Sequence, residues 1–161
     1  MIEYIQIIND DLLNANEDYI VHQCNCISTN AKTLAKQIFD KYNYADSYKK
    51  RSRNNKSTYS IPGTIEIFGN GNDQRYIINA YAQYYPASCK YDNDTPAKRL
   101  MWFKTCLINI SKIENIQTKT IAMPFNIGCG IAGGNWDLYY NLISDFANKE
   151  KINVTLYKFN K

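Results

Sequence analysis

The alternation of apolar and polar positions along this chain predicts six strands and three helices. The strand-like stretches are short and rich in Ile, Val, Tyr and Phe, which favour strands. They are Ile2–Ile8, Tyr19–Gln23, Thr64–Phe68, Arg75–Gln83, Thr118–Met123 and Ile152–Phe159. Apolar residues recur with the helical period over Ala31–Tyr42, Pro96–Ile113 and Trp136–Asn148. Helices therefore alternate with strands.

Turn and capping residues predict where some of these elements begin and how they are connected. Gly69–Asp73 separates two strands and predicts a hairpin. Thr95 is a candidate cap for the second helix, with Pro96 at its first position. Ser28 or Asn30 is a candidate cap for the first helix. We therefore expect an α/β fold with a mixed sheet and helices on both faces.

The most informative segment is Thr120–Trp136, TIAMPFNIGCGIAGGNW, which holds four of the chain's seven glycines. The pattern predicts a strand, a glycine loop and a helix. Glycines let backbone N–H groups approach a ligand closely, and the start of a helix attracts phosphate. The loop lacks the Gly-Lys-Ser/Thr of a Walker A motif and does not match G-x-G-x-x-G. A purely structural turn is the alternative interpretation.

Composition narrows the class of protein. The chain has 161 residues and a formal net charge of +4, so we expect one domain, 1–161, that tolerates an anionic ligand. Five cysteines, no C-x-x-C pair and one histidine offer few metal ligands, so we expect free thiols and no metal. The N-terminal sequence is too polar for a signal peptide, and no apolar run is long enough to span a bilayer. We expect an intracellular protein, cytoplasmic or nuclear, without a membrane partner.

Three segments together carry a family resemblance. They are the first strand followed by Asp10-Asp11-Leu12-Leu13, the strand VHQCN that leads into a helix, and IGCG followed by a helix that begins with Trp. In this order they resemble a macro domain, a three-layer α/β/α module that binds ADP-ribose. The resemblance covers roughly Ile2 to Tyr157. It is greatest for the divergent branch that contains ADP-ribose phosphate phosphatases and terminal ADP-ribose protein glycohydrolases.

The resemblance implies a ligand-binding role for several residues. Asp11 and Leu12 match positions that contact the adenine, Asn25 matches an asparagine near the distal ribose, and Phe125 is placed against the ribose or adenine. The diphosphate loop is implied to contain Asn126, Ile127, Gly128, Cys129, Gly130 and Ile131. Each also has a structural alternative: Asp11 as a turn residue, Asn25 as a cap of its own loop, and Phe125 as part of the core.

The chain departs from the family pattern in two places. The first loop, which is glycine-rich in typical members, is Ala31-Lys32-Thr33 here, so Lys32 is either a phosphate contact or a solvated helix residue. The glycohydrolases also use a lysine and an aspartate, and at the matching positions this chain has Gln83 and Ala132. That catalytic pair is absent.

Other residues are weaker candidates for chemistry. Asp94 is a candidate catalytic base, with a surface ion pair to Arg99 as the alternative. His22 is a second candidate, with a structural role inside its strand as the alternative. The basic segment Lys49–Lys56 is either attractive to phosphates or simply a solvated loop.

Three functional hypotheses follow. The first is a hydrolase of terminal ADP-ribose linkages, either ADP-ribosyl esters or ADP-ribose phosphate, which needs no cofactor. The second is a non-catalytic reader of ADP-ribose, and the third is a different nucleotide- or RNA-binding protein. The resemblance implies ADP-ribose, or ADP-ribosylated protein or nucleic acid, as the partner of a monomer.

Overall fold

A computed structural model describes residues 3–159 and contains six strands and three α-helices. The strands are β1 (Ile5–Ile8), β2 (Tyr19–Asn25), β3 (Ile65–Phe68), β4 (Tyr76–Gln83), β5 (Thr120–Pro124) and β6 (Asn153–Tyr157). The helices are α1 (Thr33–Lys41), α2 (Pro96–Ser111) and α3 (Trp136–Glu150). The predicted number, type and order of these elements are confirmed. Ile2, the first residue of the first predicted strand, lies outside the described residues.

The strands form one mixed sheet in the order β1-β6-β5-β2-β4-β3. Five strands are parallel, and β3 pairs antiparallel with β4 as the predicted hairpin requires. The carboxyl ends of β1, β6, β5, β2 and β4 therefore share one edge of the sheet. Ligands of parallel α/β sheets bind beyond such an edge.

Side chains of β2 alternate between two hydrophobic cores because successive residues of a strand point to opposite faces. Tyr19 and Val21 pack with α2 and α3, while Ile20 and Cys24 pack with α1. A parallel sheet covered on both faces has strands that are apolar almost throughout. The three-layer α/β/α arrangement with helices on both faces is confirmed.

The predicted cap agrees with the structure at α2 and disagrees at α1. Thr95 caps α2 by accepting a hydrogen bond from the Lys98 N–H at 3.2 Å, as predicted. Asn135 caps α3 in the same manner. The predicted cap of α1 by Ser28 or Asn30 is wrong, because α1 begins after Lys32 and has no side-chain cap. Its first N–H groups are left free for other acceptors.

Within residues 3–159, the helices are all too short or too polar to cross a membrane. The polar stretch Tyr48–Ser60 consists of short turns, as expected of a loop. It is nevertheless anchored, because Tyr48 and Arg51 are buried.

Candidate functional site

A cleft of about 610 Å³ lies beyond the carboxyl ends of β2, β4 and β5. One wall is the loop from β2 to α1, and the opposite wall is the glycine loop after β5. The predicted site residues that line it are His22, Asn25, Lys32, Gln83, Phe125, Asn126, Ile127, Gly128, Gly130, Ile131 and Ala132. The tertiary structure thus brings the two loops singled out from the sequence to one site.

Three of the four glycines of the glycine loop serve two different purposes. A Cβ on Gly128 would lie 2.5 Å from Tyr139 Cε2, and one on Gly134 would lie 2.6 Å from the Gly128 carbonyl oxygen. These two glycines are needed for packing. A Cβ on Gly130 meets nothing within 4 Å, because it would point into open space. Gly130 is therefore the position where a side chain would enter the cleft without disturbing the core.

Several backbone N–H groups of the glycine loop have no acceptor among the described residues. The Cys129, Gly133 and Gly134 N–H groups donate within the loop. Those of Gly128 and of residues 130–132 donate to no described residue. An anion is the ligand that satisfies several such donors together.

The opposite wall supplies a second group of free N–H donors at the start of α1. Thr33, Leu34 and Ala35 line the cleft, and no side chain caps their helix. Thr33 has φ of 52°, a left-handed conformation that is unfavourable for a β-branched residue. The loop Ala31-Lys32-Thr33 therefore carries local backbone strain at Thr33.

The charge of the cleft favours an anion. Lys32 and Lys90 are the ionisable cations among its described lining residues, and none of those residues is Asp or Glu. Sequence reasoning missed Lys90, which lies in a loop between β4 and α2 with no motif to mark it. It also missed Asn30 and Thr33 as lining residues.

Asn25 both caps its own loop and faces the cleft. Its Oδ1 accepts hydrogen bonds from the N–H groups of Ile27 at 3.1 Å and Ser28 at 2.8 Å. Its Nδ2 donates to no described residue, so the amide group is oriented with its donor available to a ligand. The structural and ligand-binding interpretations of Asn25 are therefore compatible.

Of the predicted adenine residues, Phe125 alone lines the cleft. Phe125 lines it and packs against Trp136, with the Lys158 ammonium 4.8 Å from its ring centre. Asp11 and Leu12 are not among the lining residues. Asp11 Oδ1 accepts from the Leu13 N–H at 3.0 Å, and Leu12 is buried in the α1-side core. Asp11 Oδ2 has no partner among the described residues.

His22 is the first member of a buried chain of hydrogen bonds. Its Nε2 lies 2.7 Å from Asn79 Oδ1, while Asn79 Nδ2 donates to Ser47 Oγ. Ser47 Oγ is 2.6 Å from the Tyr81 hydroxyl, which donates to Glu66 Oε1 at 2.5 Å. Since Asn79 presents its carbonyl oxygen, His22 Nε2 carries the proton. Burial lowers the pKa of His22 to about 4, so the ring is neutral at pH 7.

Asp94 forms a buried ion pair with Arg99 and does not line the cleft. Arg99 Nε and Nη2 donate to its two carboxylate oxygens at 2.7 and 2.6 Å, and the Tyr85 N–H donates to it as well. Burial alone would raise the pKa of Asp94, but these hydrogen bonds outweigh burial and hold the pKa below its ordinary value. The expected alternative of a surface pair is wrong, because both side chains are at most 2% exposed.

Gln83 is held by hydrogen bonds, and Cys129 has a protonated thiol. Gln83 accepts a hydrogen bond from Gln23 and donates to the Tyr85 carbonyl. Burial raises the pKa of the Cys129 thiol to about 11, so this sulfur is protonated at neutral pH. The glycine loop therefore offers backbone groups to a ligand and no thiolate.

Comparison with known proteins identifies the architecture. No protein-family model matches the chain. The uncharacterized 17.5 kDa protein of the tk-vs intergenic region of Enterobacteria phage T4 is 28% identical over 138 residues, which are 83% of this chain and 82% of that protein. The macrodomain of Mycobacterium tuberculosis DarG superposes with a TM-score of 0.72 at 21% identity and 99% coverage of both chains. The protein has the macrodomain fold.

A second solved structure with this fold is a complex with ADP-ribose. Thermosipho africanus DarTG, solved in complex with ADP-ribose, matches 98% of this chain and 42% of its own with a TM-score of 0.67 and 16% identity. The macro-domain resemblance drawn from the sequence is confirmed for the fold. The assignment to the divergent branch stays a prediction.

Proposed function

We propose that this macrodomain binds ADP-ribose in the cleft between the two loops. The observation that carries the proposal is the set of free N–H donors on both walls, in a cleft whose described lining contains two lysines and no carboxylate. A diphosphate suits these donors because it presents several oxygens and negative charge. The description of the Thermosipho neighbour as a complex with ADP-ribose supports the same ligand.

The positions of the adenine and of the distal ribose are proposed from the side chains available to each. The adenine is proposed to lie at the Phe125 end, where Asp11 Oδ2 is free to accept a hydrogen bond from the amino group. Leu12 is proposed to contact the adenine through its backbone. The distal ribose is proposed to lie near the Asn25 amide and Lys90. Lys32 is proposed to contact the diphosphate from the α1 side.

Hydrolysis of a terminal ADP-ribose linkage is a second candidate function. The free Nδ2 of Asn25 favours it, since this donor is suited to hold a ribose hydroxyl or a leaving group at the distal end. General acid or base catalysis has little support in the cleft. His22 is neutral and buried, Asp94 is fully paired, and Gln83 and Ala132 replace the lysine and aspartate. Any turnover is therefore proposed to depend on positioning of the substrate by Asn25.

Calorimetric titration with ADP-ribose is the direct test, with AMP and an RNA oligonucleotide as controls. We expect micromolar binding of ADP-ribose, tighter than binding of AMP, and no comparable binding of RNA. Gly130→Val should abolish binding while the free energy of unfolding is unchanged, because its side chain enters the cleft alone. Asp11→Ala should weaken binding by roughly 1–3 kcal/mol. Normal ADP-ribose affinity in Gly130→Val would refute the diphosphate site.

Turnover is tested separately. The protein is incubated with ADP-ribosylated protein and with ADP-ribose phosphate, and released ADP-ribose is measured. The hydrolase proposal predicts release that Asn25→Ala removes. The reader alternative predicts binding of the same substrates without release.

A further inference from the structure

A second cavity of about 340 Å³ lies under the polar stretch Tyr48–Ser60, against the β3–β4 hairpin. It shares no lining residue with the cleft. Its lining includes Lys50, Arg51, Tyr59, Ser60, Glu66 and Tyr81. The cavity lining thus includes Lys50 and Arg51 of the basic segment Lys49–Lys56, and neither of them lines the cleft.

Arg51 is the unusual residue of this cavity because it is a buried cation without a carboxylate partner. Its side chain and backbone together are only 6% exposed. Within residues 3–159, ion pairs closer than 4 Å join Lys36 to Asp40 and Arg99 to Asp94, and Arg51 takes part in neither. Buried charges in proteins are generally paired, since desolvation of an isolated charge is costly.

The contacts of Arg51 are all to neutral groups. Nη1 donates to the Ser28 carbonyl, and Nη2 donates to the Asn25 carbonyl and Ser60 Oγ, at 2.8–3.0 Å. The guanidinium also lies 4.4 Å from the Tyr48 ring centre. These contacts orient the group and leave its charge uncompensated. Nε donates to no described residue.

Further donors surround the guanidinium. The Ser60 hydroxyl accepts from Arg51 and keeps its own proton for another acceptor, and the Tyr59 hydroxyl has no hydrogen bond to a described residue. Lys50 adds a second cation. The carboxylate of Glu66 is engaged by the Tyr81 hydroxyl at 2.5 Å. The cavity lining therefore carries two cations and one carboxylate.

We propose that this second cavity binds a phosphate group, carried by a small phosphomonoester. A phosphate supplies the countercharge that Arg51 lacks, and its three terminal oxygens match a guanidinium, an ammonium and hydroxyl donors better than two carboxylate oxygens do. The cavity is larger than inorganic phosphate needs and is within the range of small-ligand sites. Glu66 opposes the ligand by repulsion.

The test is a ¹⁵N NMR titration of the Gly130→Val variant with inorganic phosphate and with ribose 5-phosphate at constant ionic strength. This variant removes the diphosphate site from consideration. We expect saturable shifts of backbone signals in residues 47–66, with ribose 5-phosphate the tighter ligand. Equal binding of both probes also supports a phosphate site and identifies free phosphate as sufficient. Shifts confined to residues 126–132, or no saturable shifts with either probe, would overturn the proposal.

Variants that remove one exposed charge test whether the side chains lining the cavity contribute to binding. Lys50→Gln should weaken binding by roughly two- to fivefold, as expected of an exposed charge. Glu66→Gln should tighten it by a similar factor, since a repulsive charge is removed. Lys49→Gln is the matched control, because Lys49 is adjacent and exposed but does not line the cavity. Equal effects of Lys49→Gln and Lys50→Gln would mean that only the general field of the segment acts, which contradicts the site.

Discussion

Two buried arginines hold the two sides of the cleft, and they differ in one respect. Arg99 donates to the backbone carbonyls of Ala87 and Ala132, and Arg51 donates to those of Asn25 and Ser28. Arg99 has Asp94 as its countercharge, whereas Arg51 has no carboxylate partner among the described residues. A buried arginine can therefore have its countercharge within the protein in one place and lack one in another.

The difference teaches that burial of a charge does not by itself identify its role. In the Arg99–Asp94 pair each charge is balanced by the other, so the pair needs no ligand. Arg51 donates its hydrogen bonds to neutral oxygens, so no carboxylate among the described residues balances its charge. Removal of the partner of Arg99 should therefore affect stability more than any change at Arg51.

The largest effect is expected from Asp94→Asn. This variant leaves Arg99 buried without a countercharge, which should lower the free energy of unfolding by about 3–5 kcal/mol. Urea denaturation measures it. The matched control is Asp40→Asn in the exposed Lys36–Asp40 pair, where a loss of about 0.5 kcal/mol or less is expected. Similar losses at the two positions would refute the structural role of the buried pair.

The second effect is a dependence of the free energy of unfolding on pH. We assign it to His22, on the Arg51 side of the cleft. Its pKa is lowered from 6.5 to about 4 in the folded protein, so the unfolded chain binds an extra proton between these values. The free energy of unfolding should fall as pH falls through this window, by roughly 3 kcal/mol in total. In His22→Gln, whose amide retains a donor for Asn79, this contribution should vanish. An unchanged slope in the variant would contradict a neutral buried His22.

Asp94 titrates in a lower window. Because its pKa is held below the ordinary value, its contribution to stability is present above the ordinary aspartate range and is lost as pH falls through the folded pKa. The two sides of the cleft should thus lose stability in separate pH windows. In Asp94→Asn the loss in the more acidic window should be smaller than in the unmodified protein.

A direct comparison of the arginines comes third. Arg51→Met removes three hydrogen bonds but also removes an uncompensated buried charge, so we expect a loss of roughly 1–2 kcal/mol. Arg99→Met leaves the Asp94 carboxylate buried without a countercharge and should lower the free energy of unfolding by about 3–5 kcal/mol. Thermal and urea unfolding measure both variants. In the Gly130→Val background, phosphate should stabilise the protein that retains Arg51 and not the one that also carries Arg51→Met, and an equal response of both would contradict the proposed phosphate site.

The smallest effect concerns strain on the Arg51 side. Thr33→Gly should raise the free energy of unfolding by up to about 1 kcal/mol, since relief of the left-handed conformation exceeds the added entropy of glycine in the unfolded chain. Thr29→Gly in the same loop is a control, because Thr29 has no positive φ and glycine should be neutral or destabilising there. A destabilised Thr33→Gly would show that the threonine side chain, and not its strain, governs this position.

The elements and their order could be predicted from local signals. Strand composition, helical period and the Thr95-Pro96 start of α2 act within a few residues, so the sequence displays them directly. The glycine loop was recognisable for the same reason, and the macrodomain resemblance rested on it. The cap of α1 was predicted wrongly, because the loop before it is held by Asn25 and Arg51 rather than by its own side chains.

The roles of individual side chains could not be predicted as well. Asp94 and Arg99 are five residues apart, and a surface pair and a buried clamp have the same spacing in sequence. His22 precedes Asn79 by 57 residues, so no local pattern predicts the hydrogen bond that fixes its tautomer. The two functions of the glycines were also hidden, since the positive φ of Gly128 and its close approach to Tyr139 and Gln23 appear only in the tertiary structure.

The sequence by itself thus determined the alternation of strands and helices and the glycine loop, because short-range periodicity and turn chemistry act along the chain. The macrodomain fold followed from the resemblance of three segments to that family. Tertiary structure decided which loops meet at the cleft, which amides are free and which buried charge has a partner. Those properties depend on distances between residues far apart in the chain, since desolvation and charge pairing are set by three-dimensional neighbours.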